Sequence, residues 1–121
     1  MCVDMSRTTK EVLNDHLELA KQGDWQIDLS RNFSETCVLL TNFGVFKGFD
    51  GIKQKIRLLH EHLPNATYEY KHVLVHGDMG FLVWTGDSDT NYVSDGADSY
   101  LVRDGKIEIM TIHYNPQPKP R

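Results

Sequence analysis

The chain has 121 residues, of which 40% are hydrophobic and 25% are charged, a balance typical of one globular domain with one core. Its net charge of −4 and the lack of a basic run argue against nucleic-acid binding, and no apolar stretch has the length of a transmembrane helix. Because residues 1–10 lack the apolar core of a signal peptide and the two cysteines make no disulfide framework, we expect free thiols, a cytoplasmic location and no membrane partner.

Helices are predicted in the first half of the chain. The segment TTKE at residues 8–11 fits a capping box, which predicts a helix over 9–22. Asp24 is expected to cap a second helix, whose apolar side includes Phe33. A third helix is predicted over 52–63, with isoleucine and leucine at helical spacing.

The polar residues of the third helix are predicted to face solvent. Lys53, Lys55 and Arg57 are expected on a solvated surface. His60 and His62 lack the spacing of a helical metal site, and we expect neither a metal nor a cofactor.

Strands dominate the second half of the chain, and Asp104-Gly105 is a strong hairpin signal because glycine tolerates positive φ. We expect a polar loop over 87–96, a disordered segment over 1–7, a domain over 8–115 and a loose proline-rich tail over 116–121. The predicted strands are Thr36–Thr41, Val45–Phe46, Thr67–Val75, Phe81–Thr85 and the two arms of a hairpin over Ala97–Tyr114.

This order predicts an α+β fold, in which the helices pack on one face of a curved sheet. Phe81–Thr85 is apolar on both of its faces, and so is the last strand. One face would cover the helices. The other, outer face is expected to form a homodimer interface.

Asp98 is the clearest candidate for chemistry. It shares a strand face with Tyr100 and Val102, which predicts a carboxylate on an apolar wall. A carboxyl group there would have a raised pKa and would suit a general acid, a general base or an oxyanion donor. The alternative is a structural role, such as capping a turn or pairing with a cation or a tyrosine.

His16 lies on the apolar side of the first helix and is the candidate partner of Asp98. The alternative is a core histidine whose hydrogen bonds are internal. Aromatic and apolar residues could wall a pocket for a flat ligand, or could equally be core or interface residues. The candidate pocket residues are Tyr100, Trp84, Tyr114, Met110, Thr41 and Phe33. Which face of strand 67–75 points inward stays open, and His72 would share that face with Tyr68 and Tyr70.

Three segments carry a family resemblance: HLELAKQGDW at 16–25, the stretch from Phe33 through GVFKGFDGI at 44–52, and DSYLVRDGKI at 98–107. They resemble the nuclear transport factor 2-like superfamily, in particular its SnoaL-like branch with ketosteroid isomerases and polyketide cyclases. The resemblance implies a cystatin-like cone, with a curved mixed or antiparallel sheet wrapped by three N-terminal helices around a pocket.

The resemblance to ketosteroid isomerases also suggests roles for single residues. Asp98 matches their oxyanion-binding aspartic acid, and His16 falls where they have an oxyanion-binding tyrosine. Thr41 falls where they have the general-base aspartate, and threonine cannot abstract a proton from carbon. That departure argues against ketosteroid isomerase activity.

Together these features predict a domain that binds a small apolar or aromatic molecule. It would act as a cofactor-free acid/base enzyme of the isomerase, dehydratase or cyclase type on a carbonyl compound. The alternative is a non-catalytic ligand-binding or dimerisation module of the same fold.

Overall fold

The computed structural model describes residues 7–120, and Cys2 and the rest of the segment before Arg7 lie outside that range. Within it the chain forms three helices and seven strands. The helices are α1 (Thr9–Gln22), α2 (Trp25–Asn32) and α3 (Gly48–His62), and the strands are β1 (Phe33–Thr41), β2 (Gly44–Lys47), β3 (Thr67–His76), β4 (Met79–Asp87), β5 (Asn91–Arg103), β6 (Lys106–His113) and β7 (Gln117–Pro118).

The strands form one curved, unclosed sheet in the order β2-β1-β6-β5-β4-β3, with β7 added beside β5. β1 runs parallel to β6, and the other pairs are antiparallel, so the sheet is mixed. The helices cover its concave face. This is the predicted cone-like α+β fold, which the structure confirms. None of the described helices is long and apolar enough to cross a membrane.

The ends of α1 follow the sequence closely. The Thr8 hydroxyl accepts from the backbone N–H of Glu11, and the Glu11 carboxylate accepts from the N–H of Thr8, which completes the predicted capping box. The helix stops at Gly23, which adopts the left-handed conformation with φ of 79°. α2 begins after Asp24, although the Asp24 side chain forms no capping hydrogen bond.

The hairpin between β5 and β6 is also confirmed. Asp104 and Gly105 have φ of 52° and 72°, and they turn the chain between the paired residues Arg103 and Lys106. Positive φ at both central residues matches the twist of antiparallel strands and favours Asp-Gly. This turn fixes the register that points Asp98, Tyr100 and Val102 inward.

The structure departs from the predicted chain plan in three places. Residues 91–96 belong to β5 and not to a loop, because their backbone pairs with β4 and β7. The tail is held at Gln117–Pro118 by that pairing, so it is not loose there. Arg7, expected in a disordered segment, donates hydrogen bonds to Asn32 and to the carbonyl of Gly105.

The outer face of the sheet is apolar. The register places Leu74 of β3 opposite Phe81 of β4, and Met79 reaches Ile109 of β6 through Leu101. Because directly paired residues share a sheet face, these exposed side chains form one surface. We call it the outer apolar face; its exposed large residues are Leu40, Val45, Leu74, Met79, Phe81 and Ile109.

Candidate functional site

A cavity of about 170 Å³ lies between the concave face of the sheet and the three helices. Its walls are mostly apolar, and a few titratable groups reach it. The polar or ionisable lining residues include His16, Asp28, Lys55, His60, Tyr68, Tyr70, Asp98 and Tyr100. The sequence-predicted residues Phe33, Trp84 and Met110 line it as well.

Asp98 is held on the β5 wall of the cavity by two neutral donors. The indole N–H of Trp84 donates to Oδ1 at 3.0 Å, and the hydroxyl of Tyr100 donates to Oδ2 at 3.3 Å. The side chain is buried, with 7% of the residue exposed. Burial raises the pKa of Asp98 to about 6, against the lowering effects of the Trp84 hydrogen bond and the nearby positive charges of His16 and Lys55. Asp98 can therefore be protonated or ionised near neutral pH.

The backbone at Gly96 makes room for this arrangement. A Cβ atom on Gly96 would lie 2.3 Å from the indole ring of Trp84, so the ring rests directly on the glycine. Trp84 and Gly96 are paired across β4 and β5, two residues before Asp98. Glycine at this position lets the indole lie flat enough to reach the carboxylate.

His16 is paired with Asp28 and not with Asp98. Its Nδ1 lies 2.7 Å from Asp28 Oδ2, and both side chains are buried. The hydrogen bond of the His16 ring within residues 7–120 is this one through Nδ1, and Nε2 forms none there. Asp28 was missed from the sequence, where it sits at the margin of the apolar side of α2.

Tyr100 contacts both His16 and Asp98. Its ring lies edge-on to the His16 ring, with centroids 5.5 Å apart, while its hydroxyl bonds to Asp98. His16 and Asp98 therefore form no direct hydrogen bond within residues 7–120, and both instead contact Tyr100. Behind His16, Asn32 donates to Asp28 Oδ1 at 3.0 Å.

Lys55 contradicts its predicted place on a solvated surface. It is only 4% exposed and lines the cavity. Its Nζ lies 4.7 Å above the ring of Tyr114 and donates to the Tyr114 hydroxyl at 3.5 Å. Burial lowers the pKa of Lys55 to about 8, although the negative charge of Asp98 acts in the opposite direction. The helical spacing with Ile52, Ile56 and Leu59, which also line the cavity, is the signal that could have revealed it.

Two predicted pocket residues lie outside the cavity lining. Tyr114 is fully buried behind the wall, where its hydroxyl hydrogen-bonds to His62 Nδ1 at 2.7 Å. Thr41 is used by the β1–β2 turn: its hydroxyl donates to the Gly44 carbonyl and accepts from the N–H of Phe43. Near this end of β1, Leu39 reaches the cavity, as Phe33 does at the start of the strand.

The open question about β3 is resolved by a register shift. Tyr68 and Tyr70 line the cavity, and Tyr70 donates to the backbone carbonyl of Leu17. A bulge between Tyr70 and His72 then breaks the alternation of the strand. His72 therefore does not share the inward face of the two tyrosines, and it is exposed.

Comparison with known proteins identifies the family. The family model described as "SnoaL-like domain" matches residues 13–110. The chain belongs to the SnoaL-like family. The resemblance predicted from the sequence is thus confirmed, and the match spans the cavity-lining residues from His16 through Met110. No curated protein matches this SnoaL-like chain.

Solved structures share the fold of this SnoaL-like domain at low sequence identity. A protein from Mesorhizobium loti described as a SnoaL-like polyketide cyclase aligns with a TM-score of 0.68 and 21% identity, over 89% of this chain and 100% of that one. An NTF2-like protein of unknown function from Cytophaga hutchinsonii has a TM-score of 0.69 and 12% identity, over 89% and 90%. TerC, co-crystallised with polyporic acid, has a TM-score of 0.72 and 18% identity, over 88% and 91%. These likenesses establish the fold.

Proposed function

We propose that this SnoaL-like domain binds a small apolar or aromatic carbonyl compound and transforms it by cofactor-free acid/base chemistry of the isomerase, dehydratase or cyclase type. The observation that carries this proposal is a buried carboxyl group, Asp98, in the same apolar cavity as a histidine that already has its own carboxylate partner. Groups whose environments differ in this way suit opposite roles in proton transfer.

In this proposal Asp98 and His16 have different roles in enolisation of the ligand. In its protonated form Asp98 would donate to the carbonyl oxygen of the ligand, where negative charge develops. Nε2 of His16 would take a proton from the adjacent carbon, and the Asp28 carboxylate would stabilise the imidazolium that forms. The proton would then return to another carbon for isomerisation, or a leaving group would depart for dehydration.

The cavity walls limit the ligand. A volume of about 170 Å³ is comparable to an apolar cavity that holds one benzene-sized molecule. Tyr68, Tyr70 and Trp84 offer ring faces and edges for a flat ligand. A structural neighbour described as a polyketide cyclase supports testing carbonyl compounds first.

One observation favours the non-catalytic alternative. β1 presents no carboxylate to the cavity, and Thr41, which matches the base of ketosteroid isomerases, is used by the β1–β2 turn. If His16 does not serve as the base, the domain is a ligand-binding or dimerisation module.

The test combines binding and exchange. Thermal shifts would be recorded with planar phenols and cyclic enones, and solvent deuterium incorporation beside the carbonyl of the enones would be followed by proton NMR. Asp98→Asn is the test variant, and Asp89→Asn, in an exposed loop, is the matched control. We expect phenol binding and exchange to fall at least about tenfold in Asp98→Asn alone. Binding without exchange in the wild type would favour the module, and no binding by any probe would refute the proposal.

We also propose a homodimer formed through the outer apolar face. Six large apolar side chains are exposed on one sheet face, and such a contiguous patch is typical of an interaction surface, whereas single exposed apolar residues are common on any protein. A two-fold contact would bury the same surface on both copies.

A reducing cytoplasm remains the proposed location, in keeping with the free, buried thiol of Cys37.

A further inference from the structure

Lys55 is a buried ionisable group of the cavity that the proposed acid/base chemistry does not use. It projects from α3 between apolar neighbours, and its amine is almost sealed from bulk solvent. Within residues 7–120 it forms no ion pair with a carboxylate. Its polar contact is the hydroxyl of Tyr114. The amine also lies over the Tyr114 ring, and this cation–π contact stabilises the ammonium form.

We propose that Lys55 is a nucleophile that forms an iminium adduct with an aldehyde or ketone bound in the cavity. This inference rests on the proposed binding of a carbonyl compound, and it adds a covalent step and a third working residue. The geometry supports it because the amine and the Asp98 carboxyl group line the same enclosed space. An amine that is desolvated in an apolar pocket is a recognised way to activate lysine as a nucleophile.

The step balances with the groups present. The neutral amine adds to the carbonyl carbon, a C–N bond forms, and the oxygen takes the proton of Asp98. The nitrogen returns one proton to Asp98, which then protonates the hydroxyl so that it leaves as water. The nitrogen lone pair forms the C=N bond, and the products are the iminium, water and the Asp98 carboxylate. The iminium would draw electrons from the neighbouring carbon and ease removal of its proton.

Burial favours the neutral form of the amine and outweighs the opposing effect of its charged and aromatic neighbours. The negative charge of Asp98 on β5 and the ring of Tyr114 after β6 favour the ammonium form, and His62 lies near the amine on the same helix. With its pKa lowered to about 8 by burial, about half of Lys55 is neutral at pH 8. An ordinary lysine with a pKa of about 10.4 is neutral in well under 1% of molecules at that pH.

The test is reductive trapping on the whole chain at pH 8 with sodium cyanoborohydride. Formaldehyde is the first probe, because it is small enough to reach the amine whatever the cavity selects. Cinnamaldehyde is the second, because its flat ring suits the aromatic walls of the cavity. Peptide mapping by mass spectrometry then compares Lys55 with Lys53, an exposed lysine on the same helix. Reduction by cyanoborohydride fixes each adduct as an amine that carries the aldehyde minus its oxygen atom.

We expect Lys55 to be modified at least about tenfold faster than Lys53 by both aldehydes. Lys55→Met should lose the cinnamaldehyde adduct of the cavity, whereas the matched Lys53→Met should keep it. Because mapping of the wild type needs no variant, a misfolded Lys55→Met would not obscure the result.

Modification of exposed lysines with Lys55 left intact would overturn the inference. If cinnamaldehyde raised the melting temperature in that case, the proposed binding of carbonyl compounds would stand without a covalent step. If Lys55 were trapped but enones showed no deuterium exchange, the nucleophile would stand and the proposed acid/base function would fail.

Discussion

The imidazole of His16 on α1 and the carboxylate of Asp28 on α2 share a 2.7 Å hydrogen bond inside the protein. Asn32, one turn after Asp28, donates to the other oxygen of that carboxylate. The pair therefore links two helices and also fixes which nitrogen of His16 faces the cavity. A structural and a chemical role are combined in one contact, and a substitution can separate them.

Asp28→Asn is expected to lower the free energy of unfolding by about 1–3 kcal/mol, because an amide cannot accept from both His16 and Asn32 as a carboxylate does. Urea denaturation followed by circular dichroism measures this. Asp24→Asn is the control, since the exposed Asp24 side chain forms no capping hydrogen bond. If His16 is the base, deuterium exchange should fall in Asp28→Asn while ligand binding persists. Equal stability of both variants would contradict the structural role of the pair.

Asp98→Asn is expected to stabilise the protein at neutral pH and to leave it unchanged in acid. The unfolded carboxyl group ionises near 3.8, and the folded one near 6, because burial raises its pKa. Between these values the folded state binds more protons than the unfolded state, so stability falls as the pH rises. Above pH 6 the ionised group costs about 3 kcal/mol, which asparagine avoids.

The measurement is the free energy of unfolding of both proteins at pH 4 and pH 8. The gain from Asp98→Asn should approach about 3 kcal/mol at pH 8 and nearly vanish at pH 4. A gain that did not change with pH would show that the folded carboxyl group ionises at its ordinary value. A large loss at both pH values would make Asp98 a structural acceptor for Trp84 and Tyr100.

Gly96→Ala is expected to destabilise the domain by about 1–3 kcal/mol, since the new methyl group would overlap the Trp84 indole. Displacement of the ring would also break its hydrogen bond to Asp98. Thermal unfolding and phenol binding should both weaken. Ser94→Ala, exposed on the same strand, is the control and should change neither. If stability fell but phenol binding were retained, ligand recognition would not depend on the position of the Trp84 ring.

Phe81→Lys is expected to convert the proposed homodimer into a monomer, because a charge would be buried at the centre of the outer apolar face. Size-exclusion chromatography with light scattering measures the mass. Val75→Lys is the matched control, since Val75 is 37% exposed against 39% for Phe81 but lies on the opposite sheet face. A monomeric wild type, or equal effects of both variants, would refute the interface.

Local signals in the sequence predicted much of the fold. Some of these signals involve residues only a few positions apart, so the sequence alone specifies them. Examples are the capping box of Thr8 and Glu11 and the turn at Asp104 and Gly105. The inward face of β5 followed from alternation alone, which placed Asp98 on the cavity wall. These local features predicted the fold and identified Asp98 as a residue of the cavity wall.

The missed features depend on contacts between distant segments. Residues 91–96 have weak strand propensity, and they are strands because β4 and β7 supply hydrogen bonds on both sides. The charge of Lys55 predicts a solvent-exposed side chain, although its position on α3 lies on the apolar side of the helix. The partner of His16 could not be chosen from the sequence, because Asp28 and Asp98 both lie on half-apolar faces and only the packing of α1 against α2 decides between them.

The position of β6 has a consequence for how the chain folds during synthesis. β6 is synthesised after β1 through β5, yet it lies between β1 and β5 and is the parallel neighbour of β1. Until it emerges from the ribosome, β1, β2 and α3 have no sheet to join, and the apolar residues of β1 stay exposed. The nascent chain therefore cannot complete its core by stages and must close it in one late event. This delay makes the unfinished chain a candidate for chaperone binding.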